Sequence, residues 1–132
     1  MRSLDSSSYL LMAILLGGLA MLGPISIDIF LPAIPSMAED LGVSLGNVEL
    51  TLTAIFTGNA CGQILYGPLS ERFGRKPVIL VTLFLFGTST IAVAQATALE
   101  PILIWRFIQG VLLAAGRIIA NAAARDQFKG EL

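Results

Sequence analysis

The sequence predicts an all-α membrane protein, a polytopic bundle of about four transmembrane helices with no soluble domain. Three observations predict it. The 132 residues are 55% hydrophobic and only 13% charged, with a mean hydropathy of +0.83, whereas soluble domains carry about a quarter charged residues. Residues 6–27, 50–70 and 78–98 contain no Asp, Glu, Lys or Arg, and about 20 such residues, rising about 1.5 Å each, cross a bilayer core. Laid out as four spans, the chain puts Arg2, Arg72, Arg75, Lys76, Arg125 and Lys129 on one side. The other side holds Glu39, Asp40, Glu49 and Glu100 and no cation.

The first span is expected at about 8–31, kinked and ended by Pro24, Pro32 and Pro35, each of which removes a backbone donor. The opening Met1-Arg2 and apolar run also fit a signal peptide. Gly23-Pro24-Ile25-Ser26 stands where an A-x-A-like cleavage site would be needed, so the span reading is preferred. Residues 37–47 are expected as a polar link, with Ser44 as N-cap of the second span at about 45–69. A turn at 67–77 follows, with three cations, two glycines and two prolines in eleven residues. Pro77 suits the first turn of a third span at 77–98. Glu100-Pro101 then opens a fourth at 101–124, with an acid beside the positive end of the helix dipole. The basic residues place both ends of the chain and the turn 67–77 on the cytoplasmic side of a plasma membrane.

Several side chains are costly inside a membrane. Asp28 near the outer end of the first span and Arg106 in the fourth lie at similar depth. A charge at the centre of a span costs roughly 2.5–3.5 kcal/mol. Pairing of the two, direct or through water, is therefore expected. Arg117 falls on the Arg106 face of the fourth span. On the second, Phe56, Asn59, Gln63 and Tyr66 form a polar and aromatic stripe expected to line a watery cavity. Gly58 and Gly62 make a G-x-x-x-G pair, read as packing. The third span offers only Thr, Ser and Gln95 and is expected at the periphery. Cys61, the one cysteine, excludes an internal disulfide and is expected as a small buried packing residue. The absence of histidine, metal-ligand spacing and any nucleophile–base pair argues against an enzyme, a metal site or a cofactor. The net charge of −1 gives no footing for a nucleic-acid partner.

The turn spells Gly67-Pro-Leu-Ser-Glu-Arg-Phe-Gly-Arg-Lys-Pro77. It resembles the signature loop between helices two and three of the major facilitator superfamily, departing only in Glu71 where the family most often has Asp. Ile27-Asp28-Ile-Phe-Leu-Pro32-Ala-Ile-Pro35 resembles the first-helix motif of Bcr/CflA-type drug-resistance transporters. Arg106-Phe-Ile-Gln109-Gly110 with Arg125-Asp126 is similar to their fourth helix and its exit.

The resemblance implies a drug:proton antiporter of the bacterial inner membrane, built as two six-helix bundles around a cavity. This chain would supply the first third of the twelve helices, as part of the N-terminal bundle. It would need the remaining helices as partners and be inactive alone. Its other partners would be drug-like molecules, protons and lipid. Asp28 would be the protonatable acid and Arg106 the cation acting on it. Glu71, Arg72, Arg75 and Asp126 would form a charge cluster latching one conformation, with Gly67, Gly74 and Lys76 completing the loop. Arg117 stands where the family is usually apolar. Two alternatives stay in transport: a superfamily importer of sugars, amino acids or a siderophore, and a dimeric small multidrug transporter, which would lack the loop. A non-transport membrane subunit is a further alternative.

Overall fold

The computed structural model describes residues 5–129, leaving Arg2 of the orientation argument outside the described residues. Five α-helices follow one another: α1 Ser6–Phe30, α2 Ile34–Leu41, α3 Leu45–Phe73, α4 Arg75–Gln95 and α5 Leu99–Lys129, with a 3-10 turn Leu31–Ala33 joining α1 to α2. Among the described residues three segments are long and apolar enough to cross a membrane: Ser6–Leu41 with 36 residues, Arg75–Gln95 with 21 and Leu99–Asp126 with 28. The expected second span, α3, has 29 residues. Its Asn47, Glu49, Asn59 and Gln63 leave it less apolar than the others.

The prolines act as expected on the first helix, which runs through Pro24 and ends at Phe30, just before Pro32. Pro24 lies inside α1, and Pro32 and Pro35 occupy the first positions of the 3-10 turn and of α2, where the lost donor was unpaired in any case. The expected polar link 37–47 is therefore helical as far as Leu41, and only residues 42–44 connect it to α3. Ser44 caps α3 as expected, its hydroxyl oxygen accepting from the Asn47 N–H at 3.3 Å.

The turn at 67–77 is corrected more heavily. Gly67 to Phe73 belong to α3, which runs through Pro68, and α4 starts at Arg75. Beside Pro68, the Ser70 hydroxyl donates to the Gly67 carbonyl at 3.0 Å. The reversal falls on Gly74 alone, at φ 86 and ψ 161, a region essentially closed to residues with a Cβ. Pro77 sits in the first turn of α4, as expected.

α5 is the helix against which α1, α3 and α4 pack. On α3, Gly58 meets the Phe107 carbonyl, and a Cβ on Gly62 would lie 2.6 Å from the Val111 carbonyl oxygen and 2.7 Å from the Ala114 Cβ. Gly110 meets the Ile55 carbonyl from the other side, so α3 and α5 touch backbone to backbone. Around this seam Tyr66, Val78, Ala114, Ala115 and Ile119 form the main core, and Ile34, Ala38 and Val48 a smaller one under α2. Cys61, expected inside, is exposed; one position before Gly62, it is turned about 100° off the packing face. Outward from the seam the chain shows large apolar side chains such as Ile64 and Phe84, exposed by 81% and 71%. Contiguous apolar surface of this kind suits lipid and not water.

Candidate functional site

Two cavities flank α1 where it crosses α5. The crossing is close, with the Leu19 carbonyl 3.4 Å from the position of a Cβ on Gly116. On one side, α1, α3 and α5 enclose about 220 Å³ lined by Gly23, Pro24, Phe56, Asn59, Leu113 and Arg117 among others. On the other, α1, α4 and α5 enclose about 380 Å³ lined by Ser26, Phe30, Thr90, Arg106 and Gln109 among others. The two arginines leave the same face of α5, and α1 separates the spaces they line.

Arg106 is held by a directional chain. The Thr90 hydroxyl donates to the Phe86 carbonyl at 2.9 Å, which leaves its oxygen to accept from Gln109 Nε2 at 3.1 Å. That fixes the Gln109 amide, whose Oε1 accepts from Arg106 Nη1 at 2.9 Å. The Phe30 ring lies over the guanidinium, 3.8 Å from Cζ to the ring centre, a cation–π contact that strengthens as water leaves. Arg106 is 5% exposed, and its Nε and Nη2 have no hydrogen-bond partner among the described residues.

The expected Asp28–Arg106 pair is not formed. Asp28 is exposed, and the ion pair found among the described residues is Arg75 with Asp126. The reason is angular. Phe30, which meets Arg106, stands two residues after Asp28 and so about 200° around α1. Depth was matched, and direction was not.

The polar stripe on α3 divides. Gln63 Nε2 donates to Asn59 Oδ1 at 2.8 Å, and Asn59 and Phe56 line the α1–α3–α5 cavity with Arg117. Tyr66, expected beside them, is packed in the core against α4 and α5. Pro24 lacks the N–H that would bind the Ala20 carbonyl, and both residues line this cavity. Arg117 is exposed there and has no hydrogen-bond or ion-pair partner among the described residues.

At the α3–α4 junction, Arg75 Nη1 lies 2.6 Å from Asp126 Oδ2, with the two side chains 41% and 61% exposed. Arg72 lies over the Phe73 ring at 5.4 Å, and Glu71 and Lys76 are exposed. α4 thus begins with two cations at the positive end of its dipole and no side-chain cap, an arrangement unfavourable for the helix alone. Asp126 offsets part of it.

Sequence reasoning missed Phe30 and Thr90. Gln109 stood three residues after Arg106, a spacing at which helical side chains meet. Thr90 carried no signal, because it lies on the helix expected at the periphery.

Polar and ionisable groups held between membrane helices mark a functional pathway. The Major Facilitator Superfamily matches residues 8–132, and the chain belongs to that superfamily. It is 40% identical over 121 residues to the uncharacterized MFS-type transporter YdgK of Bacillus subtilis, covering 92% of this chain and 30% of that protein. It is 35% identical to a bicyclomycin resistance protein homolog of Haemophilus influenzae, over 94% of this chain and 31% of that protein. With the multidrug resistance protein D of Escherichia coli it shares 32% identity, over 98% and 32%. The chain therefore spans about a third of the length of these relatives. No solved structure matches it.

Proposed function

We propose that a transporter carrying this chain exports drug-like molecules across the bacterial inner membrane in exchange for protons. The supporting observation is the cavity between α1, α3 and α5, in which Asn59 and Arg117 stand among apolar and aromatic walls. That composition suits a concave site for apolar molecules with a few orienting polar groups. The relatives named for bicyclomycin and multidrug resistance support the same reading. Both ends of the chain lie in the cytoplasm, and the Arg75–Asp126 pair helps to hold one conformation. Such an exposed pair contributes about 0–1 kcal/mol, weak enough to break in each cycle.

Asp28 carries the proton. This exposed carboxyl on the most apolar helix has no ion-pair partner among the described residues, and an ionisable group at such a position marks a pathway by default. Asp28→Asn keeps size and polarity while removing the exchangeable proton. Proton-driven drug efflux by the full-length transporter is expected to collapse, with drug binding retained. Drug-induced proton release that persists unchanged in Asp28→Asn would return Asp28 to a merely polar position.

A further inference from the structure

We propose that the α1–α3–α5 cavity prefers amphiphilic monoanions, molecules with a carboxylate on an aromatic or aliphatic body, and that Arg117 is the residue that selects them. The proposal rests on the efflux reading of this cavity and specifies its substrate class.

Arg117 is placed where a cation is costly. It lies eight residues before Arg125, roughly 12 Å along α5 at about 1.5 Å per residue, too deep to be excused as an end residue reaching water. It is exposed to the cavity, with no acceptor bonded to it among the described residues. Among the described residues no carboxylate lines the cavity: Asn59 is the one other lining side chain with polar atoms, and Phe56, Ile55, Ile27 and Leu113 supply apolar wall. Asp28 follows Ile27 in the sequence but is not a lining residue. The fixed charge that the described residues bring to this space is therefore positive. A guanidinium recognises a carboxylate through paired N–H donors, and its charge repels a cationic guest. Arg106 does not serve the same space, since α1 and the Phe30 ring stand on its side.

The test compares three probes of one shape on the full-length transporter in lipid nanodiscs: 2-naphthoate, the neutral 2-naphthamide and the cationic 2-naphthylmethylammonium. Naphthoate is expected to bind at least about tenfold (~1.4 kcal/mol) more tightly than naphthamide, with the ammonium weakest. Arg117→Gln is expected to abolish the preference, and Arg117→Lys, which keeps the charge but not the paired donors, to keep only part of it. Naphthoate binding no tighter than naphthamide, or not binding at all, overturns the proposal, and this needs only the unmutated protein. Proton-driven efflux of naphthamide in that case leaves the efflux reading standing. Selective naphthoate binding without proton-driven efflux of any probe does the reverse.

Discussion

Arg106 shows how one buried cation is stabilised without an ion pair. Gln109 supplies its hydrogen bond at 2.9 Å and Phe30 its aromatic face at 3.8 Å. A hydrogen bond to a charged group contributes about 1.5–3 kcal/mol, more than an exposed ion pair such as Arg75–Asp126. Gln109→Leu keeps the volume and removes this acceptor. It is expected to lower the stability of the full-length protein by that amount, measured as thermal unfolding in detergent. Thr90→Val, which removes only the outer link, is expected to cost about 1 kcal/mol. Equal losses in the two would mean that Gln109 is not oriented through Thr90. Arg106→Lys is not conservative here, because an ammonium cannot both lie flat on Phe30 and reach Gln109.

At the scale of the helices, the α3–α5 seam and the Gly74 reversal hold the arrangement. Gly62→Leu drives a side chain into the Val111 carbonyl and the Ala114 Cβ. Overpacking of this kind typically costs about 1–3 kcal/mol, and contact with backbone places this case at the upper end. Cys61→Leu, one position away on the exposed side, is expected to be nearly neutral in membrane yield and melting temperature. Gly74→Ala places a Cβ at φ 86 and is expected to cost about 1–3 kcal/mol, seen as a shift in thermal unfolding. The uncharged runs made most helices legible in the sequence to within a few residues. The G-x-x-x-G pair was also read correctly as packing. The turn 67–77 reads too long in the sequence because its cations, glycines and prolines together look like a loop, although a helix accommodates proline when neighbouring polar groups satisfy the freed carbonyl. The Asp28–Arg106 pairing failed for a different reason. Sequence spacing gives depth along a helix, but which face meets which neighbour is decided by the seam, and glycines alone do not reveal the rotation of α1.

Across the whole molecule the charges separate by end. The Arg75–Asp126 contact at 2.6 Å brings the α3–α4 junction beside the end of α5, so Arg72, Arg75, Lys76 and Arg125 gather at one end of the bundle. Glu39 and Asp40 lie on α2, Glu49 in the first turns of α3 and Glu100 in the first turn of α5. Those elements come one span-length away, since α3 with its 29 residues rises roughly 43 Å at about 1.5 Å per residue. Positive residues flanking spans stay on the cytoplasmic side, and acids contribute little to the choice. A reporter active only in the cytoplasm, fused after Leu132, is therefore expected to be active, and one active only in the periplasm silent. Fusions within residues 42–44 are expected to give the opposite pair of results, because α3 lies between the two sites. Replacing Arg72, Arg75 and Lys76 together with Gln removes most of the bias at the junction, and a mixed population of both orientations is expected in the same assay. A periplasmic signal after Leu132 in the unmutated chain would invert the bundle, moving the Arg75–Asp126 pair to the outer face and removing the proposed cytoplasmic latch.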